Sequence, residues 1–153
     1  MHNRPTPKFS IITVTYNAEA VLEDTIQSVI SQTYHHVEYI IIDGASKDRT
    51  LAIAERYRDR ITLLVSEPDK GLYDAMNKGI AIASGQVIGM LNADDFYSAN
   101  NILDQVAKAF TADKYLDGVY GDIHFVHPDD LSKTVRYYSS KSFTRAKMKF
   151  GFM

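Results

Sequence analysis

Phe9-Ser-Ile-Ile-Thr-Val-Thr15, taken with the stripe Val21, Leu22, Thr25, Ile26, Val29 and Ile30 that follows it, decides the fold. The first seven residues are apolar or hydroxyl-bearing and mostly β-branched, which reads as a strand buried on both faces. The next stripe recurs at spacings of three and four, the period of a helix with one apolar face. The same pair of signals repeats along the chain. Tyr39-Ile-Ile-Ile42 is a second buried strand ending at Asp43-Gly44. Leu51, Ala54 and Tyr57 mark a helix after it, with Ser46 expected as N-cap and Asp48 in the first turn. Ile61–Val65 is a third strand, and Ala75, Met76, Gly79, Ile80 and Ala83 mark a third helix. Gln86–Leu91 and the stripe Ile102, Leu103, Val106, Ala107 and Phe110 form the fourth pair. Four strand–helix alternations predict an α/β protein: a parallel sheet covered by helices on both faces.

The alternation then stops. Gly118–Val126 reads as a strand that pairs, through the turn at Pro128-Asp-Asp, with Lys133–Tyr138, and Ser142 is expected to cap a short helix through Lys149. There is no internal repeat, low-complexity segment or linker. Residues 9–153 are therefore expected to be a single domain, preceded by a polar, disordered lead-in over 1–8 that contains Pro5 and Pro7.

Composition narrows the function classes. The chain has 153 residues, 45% hydrophobic, enough for one domain with a sizeable core. A net charge of -2 carries no basic excess of the kind that points to nucleic acid. Without cysteine, disulfides and thiolate metal sites are excluded. No apolar run approaches the ~20 residues of a membrane span, and the N-terminus lacks the apolar core of a signal peptide. A cytoplasmic protein is the expectation.

In open parallel sheets, ligands bind beyond the carboxyl ends of the strands. Those ends are Thr15-Tyr16-Asn17, Asp43-Gly44-Ala45-Ser46, Ser66-Glu67-Pro68-Asp69 and Asn92-Ala93-Asp94-Asp95, and three of the four carry carboxylates. Asp94 and Asp95 are the sharpest feature. Two adjacent acids repel one another and gain most from a cation. Hard oxygen donors suit Mg2+ or Mn2+, which also bind phosphates. The plainer reading makes one acid a cap for a helix starting near Ser98 or Asn100; the convergence of strand ends favours the metal. Asp43 serves either turn geometry, as Asp-Gly often does, or a hydrogen bond to a base or ribose. Asp69, Lys70 and Asp74 surround Gly71 and a helix start, where anions are favoured, although Lys70 reads better as an ordinary exposed charge. His35-His36 cap or solvate a helix end. His124 and His127, three apart on a strand, point to opposite faces and make a poor metal pair. Tyr137 and Tyr138 read as packing residues.

The chain resembles the family 2 glycosyltransferases of the GT-A fold, particularly bacterial enzymes of surface-polysaccharide assembly. The resemblance rests on Ser10–Asn17, Glu38–Thr50, Asp69–Gly79 and Gly89–Asp95, with a weaker match at Tyr120-Gly-Asp122, and covers residues 9 to 126. It implies a Rossmann-like three-layer α/β/α sandwich with a mostly parallel central sheet. It further implies inverting, metal-dependent transfer of a sugar from a UDP- or GDP-linked donor to a polysaccharide or lipid-linked acceptor, at the cytoplasmic face of the membrane. Thr15, Tyr16 and Asn17 would border the nucleotide, and Asp43 would contact the base. Asp74 and Asn77 would border the donor site. Asp94 would meet ribose or metal-bound water, and Asp95 would ligate Mn2+ or Mg2+ directly. Two departures matter: Met76 stands where many relatives carry arginine near Asn77, and Asn92 where many carry a further aspartate.

Relatives of this type are usually longer, and their acceptor half supplies the general base. The chain stops at Phe150-Gly-Phe-Met153 inside an apolar segment, so a truncated product is expected, with the base beyond Met153. Asp122, Asp129 and Asp130 are the remaining candidates. The alternative is then a nucleotide-sugar-binding fragment without transfer, and the uncovered surface predicts a homo-oligomer. A nucleotidyltransferase fits poorly, because Thr15-Tyr-Asn-Ala-Glu19 has neither glycine nor base. A receiver domain fits the four motifs worse still.

Overall fold

A computed structural model describes residues 6–142. β1 (Phe9–Thr15), β2 (Val37–Asp43), β3 (Leu63–Ser66) and β4 (Val87–Met90) form one parallel sheet in the order β3-β2-β1-β4. α1 (Leu22–Ile30), α2 (Thr50–Glu55), α3 (Leu72–Ile82) and α4 (Ile102–Ala112) connect and flank the strands. Parallel crossovers are right-handed. Because β1 to β3 step one way and β3 to β4 steps back past β1, α1 and α2 cover one face and α3 the other. Side chains follow this division. Ile12, Val14, Ile40 and Ile42 pack with Ala75 of α3. A Cβ on Gly79 would lie 2.5 Å from the Ile12 side chain, so glycine is what lets α3 lie against the sheet. Every residue of β1 is buried, and β2 is buried from Glu38 to Asp43. These are the central strands, and their unbroken apolar runs reflect it.

The edge strands depart from expectation. β3 and β4 are four residues each and only half-buried; Ile88 and Met90, on one face of β4, are 42% and 38% exposed. Ser46 is not a helix cap. α2 starts at Thr50, and it is Asp48 that receives the Thr50 N–H at 3.0 Å and the Thr50 hydroxyl at 2.6 Å. The fourth helix starts at Ile102, later than Ser98 or Asn100.

Opposite the site, the sheet is fastened by a polar cluster. Glu38 on β2 accepts the Ser10 hydroxyl at 2.5 Å and the Ser84 N–H and hydroxyl at 2.8 Å each, and the Lys8 ammonium lies 3.5 Å away. Burial alone would raise the Glu38 pKa, but these donors outweigh it and bring it down to about 2. Lys8 carbonyl accepts the Gln86 N–H at 2.8 Å. Residues 1–5 of the expected lead-in lie outside the described residues.

The chain divides into two compact units, the second beginning at Leu116. Its core is an antiparallel hairpin of β5 (Ile123–His127) and β6 (Asp130–Tyr138) with bulges around Val126. Asp122 closes the hairpin base, accepting the Tyr137 hydroxyl at 2.5 Å and the Ser140 N–H and hydroxyl at 2.7 Å each. Tyr137 packs at a tilt against His124 and Tyr138 edge-on against Phe125, with ring centroids 4.9 and 5.7 Å apart. A 3-10 turn spans Ser140–Ser142. The helix expected from Ser142 to Lys149 and the segment Phe150–Met153 lie outside the described residues.

Candidate functional site

β1 has β2 on one side and β4 on the other, and the carboxyl ends of the parallel strands share one rim, the place where open parallel sheets take ligands. The chain after β1 runs into α1, and the loop after β4 lies against that same helix, through Thr25 Oγ1 on the Ala93 and Asp95 carbonyls. Thr15, Asp43 and Ser66 are level in the register. The Leu91 N–H donates to the Ile12 carbonyl at 2.9 Å, which carries Asn92–Asp95 onto the same rim.

The β1 and β2 loops are tied together. Asn17 is left-handed, at φ 49°, as is Ala45 at φ 61°. The Asn17 N–H donates to Ser46 Oγ at 2.8 Å, and its side-chain oxygen accepts the Lys47 N–H at 2.8 Å. Ala18 N–H donates to the Thr50 hydroxyl at 2.7 Å and Glu19 N–H to Asp48 at 3.1 Å. Asp43 is 1% exposed. It accepts the Ser46 N–H at 3.1 Å, the Ser66 hydroxyl at 2.6 Å and the Ser46 hydroxyl. Three of the roughly four acceptor positions of a carboxylate are thus filled by its own loops. Gly44 is needed for close approach rather than for turn geometry: a Cβ there would stand 2.5 Å from the Asp69 carboxylate and 3.3 Å from the Tyr16 ring. Sequence reasoning missed this contact of three loops at one glycine. Tyr16 itself is 61% exposed.

Asp94 and Asp95 both reach the surface. Partial burial raises the Asp95 pKa, the neighbouring Asp94 charge adds to this, and a hydrogen bond with the Asn92 side chain opposes it. A cation would reverse that cost. Among the described residues no three His, Cys, Asp or Glu side chains are grouped to hold a metal. Mg2+ and Mn2+ do not require such a cage, because substrate phosphates and water complete their shell around one or two carboxylates. Two further observations suit a polar ligand here. Thr15 Oγ1 and Asn92 Oδ1 are buried without a hydrogen-bond partner, and they stand at the end of β1 and just past the end of β4. Buried polar atoms are rarely left so.

At the α3 entrance the charged side chains pair among themselves. Asp74 accepts the Lys70 N–H at 3.0 Å and lies 3.6 Å from Lys78, which also meets Glu67 at 2.9 Å. Asn77 is exposed on α3. Met76 packs against the core cluster, so its position offers no charge to a phosphate. Asp122 is committed to Tyr137 and Ser140, which hold its pKa down to about 2. Asp130 accepts the Ser132 N–H and hydroxyl, and Asp129 lies 3.8 Å from His127. Thr25, read from sequence only as part of an apolar stripe, proves to bond the acidic loop.

A parallel sheet flanked by helices, with polar strand ends and a paired-acid loop, defines an α/β protein. More narrowly, the chain belongs to Glycosyl transferase family 2, which it matches over residues 10–152. It is 37% identical over 120 residues to a PGL/p-HBAD biosynthesis glycosyltransferase of Mycobacterium bovis, covering 76% of this chain and 47% of that one. Among solved structures it resembles S. aureus TarS in complex with UDP-GlcNAc, with TM-score 0.62 and 27% identity over 67% of this chain and 31% of the other. It also resembles a mannosyltransferase from Pyrobaculum calidifontis in complex with GDP-Man and Mn2+, with TM-score 0.62 and 25% identity over 82% of this chain and 37% of the other. The chain spans about half the length of the curated relatives it matches. Among the described residues, no helix is long and apolar enough to cross a membrane.

Proposed function

We propose that this chain binds a nucleoside diphosphate sugar over the carboxyl ends of β1 and β4 and serves inverting transfer of the sugar to a glycan or lipid-linked acceptor. The observation that carries the reading is the delivery of Asp94-Asp95 to the same rim as the buried, unpartnered Thr15 Oγ1. Tyr16 would lie along the base and Asp43 would use its remaining acceptor position on a base N–H. Asn17 would border the nucleotide through the loop it braces. Asp74 and Asn77 would flank the donor from α3. Asp95 would hold Mn2+ or Mg2+, with Asp94 on ribose or on water bound to the ion. Such an ion, when bound, neutralises the diphosphate and stabilises the departing nucleotide. The UDP-GlcNAc and GDP-Man complexes of the two structural neighbours support a nucleotide-sugar donor. The family match runs through both compact units, which supports treating residues 9–153 as one functional domain. Family resemblance supports a cytoplasmic location at the inner membrane face.

Inverting transfer needs a base to take the proton of the attacking acceptor hydroxyl, a contribution of roughly 10²–10⁴-fold. Asp122 is unsuited to it, being spent on Tyr137 and Ser140. This favours, as a second reading, donor binding without transfer by these 153 residues. Calorimetry with UDP, GDP and their sugars, with and without Mn2+, tests the first claim. Metal-dependent binding is expected, and its loss in Asp95→Ala; undiminished binding in that variant removes the metal assignment. Sugar transfer that is lost in Asp122→Asn would overturn the second reading.

A further inference from the structure

The acidic loop contains no regular structure between β4 and α4, yet it must hold two repelling carboxylates in place. We propose that α1 is its splint and that Thr25 is a positioning residue for Asp94 and Asp95. Thr25 Oγ1 lies 2.7 Å from the Ala93 carbonyl and 2.8 Å from the Asp95 carbonyl. Those two carbonyls belong to the peptide units on either side of the acidic pair. One hydroxyl shared between them fixes the backbone across both residues, together with the turn closed by the Asp95 N–H on the Asn92 carbonyl at 3.0 Å.

The identity of residue 25 is not explained by packing. Thr25 is 1% exposed and lies among Leu22, Ile26 and Val29. A valine would fill the same space, and a buried hydroxyl is unfavourable unless it is hydrogen-bonded. A helical threonine commonly satisfies itself on the carbonyl one turn back; here both acceptors lie in the acid loop instead. The next turn of α1 and the residues just past its end continue the pattern. Ser28 Oγ donates to the Thr25 carbonyl at 2.8 Å and accepts the Tyr97 N–H at 3.2 Å. Gln32 Nε2 donates to the Ala99 carbonyl at 2.7 Å, and its Oε1 accepts the Leu103 N–H at 3.0 Å. Positions 25 and 28 share one face of α1, and Gln32 follows just past the helix end. Together they satisfy the backbone at successive points from Ala93 to Leu103, so this row of polar side chains does for the loop what a partner strand does for an edge.

This inference rests on the donor-site reading, so the two are tested side by side. Mn2+-dependent binding of UDP and of GDP is measured by calorimetry in wild type, Thr25→Val, Thr25→Ser, Ser28→Ala and Asp95→Ala, with thermal denaturation of each. Partners that orient metal ligands are typically worth roughly 10–100-fold in metal affinity. Thr25→Val is expected to lose that much in the metal-dependent component and nothing in metal-free nucleotide binding, and Thr25→Ser to restore most of it. A folded Thr25→Val that binds like wild type overturns the inference. Should Thr25→Val not fold, Ser28→Ala decides: a smaller loss in the same component supports the splint, and wild-type affinity overturns it. If Asp95→Ala also binds like wild type, the donor reading falls and takes this inference with it. If Asp95→Ala loses binding while Thr25→Val does not, the splint alone falls.

Discussion

Thr15 and Asp43 stand opposite one another in the β1–β2 register, and their side chains are in contrary situations. Asp43 has hydrogen bonds from Ser46 and Ser66, whereas the buried Thr15 Oγ1 has none. Hydrogen bonds to a charged group are worth about 1.5–3 kcal/mol, and an unsatisfied buried group costs about 1–3 kcal/mol. Asp43→Ala should therefore lower stability by about 2–3 kcal/mol in urea denaturation, with Asp43→Asn milder because an acceptor oxygen remains. Thr15→Val should have the opposite sign. Deleting the orphaned hydroxyl should leave the ligand-free protein as stable or about 1 kcal/mol more so, while weakening UDP or GDP binding if that hydroxyl meets the donor. A variant that loses stability and keeps affinity would show that Thr15 is structural. At this scale the sequence was legible where a polar residue closes an apolar strand, as Thr15 closes β1 and Asp43 closes β2. It was not legible for Thr25 or Ser46. Both serve partners brought near only by the fold: Thr25 bonds a loop far along the chain, and Ser46 links Asp43 to Asn17 instead of opening a helix.

Among the elements, α3 shows how tightly the sheet constrains its cover. Alanine normally favours a helix over glycine by about 1 kcal/mol. At Gly79 the added methyl would meet Ile12 at 2.5 Å and Ile42 at 3.4 Å. Overpacking of that kind costs about 1–3 kcal/mol, so Gly79→Ala should be net destabilising, read as a lower denaturation midpoint. β1 was legible to the residue, and β2 through its apolar centre, Tyr39–Ile42; its start at Val37 was missed because the charged Glu38 interrupts the apolar run. β3 and β4 were read longer than they are. Their flanks, Ile61 and Leu91, are buried as well, and apolarity alone does not distinguish a laddered residue from a packed neighbour. The layer order was legible from the alternation, but the strand order was not, because several orders satisfy the same pattern.

For the whole molecule, the Glu38 cluster contributes to behaviour in acid. Its folded pKa, about 2, lies below the ordinary 4.5. The stability it contributes is therefore present above pH 4.5 and is lost as pH falls towards 2. Urea midpoints followed from pH 6 to pH 2.5 should fall over that window, and Glu38→Gln should start lower and flatten the fall. At the other edge of the sheet, the exposed Ile88 and Met90 on β4 favour self-association. Sedimentation at high concentration should show a dimer or larger species, reduced by Ile88→Lys; a clean monomer in the wild type would refute this.

The strand order also has a consequence in time. Phe9 pairs with Val37 on one side and with Val87 on the other. During vectorial synthesis at about 5–20 residues per second, β1 can gain its first neighbour on the order of seconds before its second. The nascent chain can thus hold β1 and β2 while the edge meant for β4 is still bare and open to mispairing. The rim is complete only once β4 has joined, so competence to hold the proposed donor should arrive late and all at once as the polypeptide emerges.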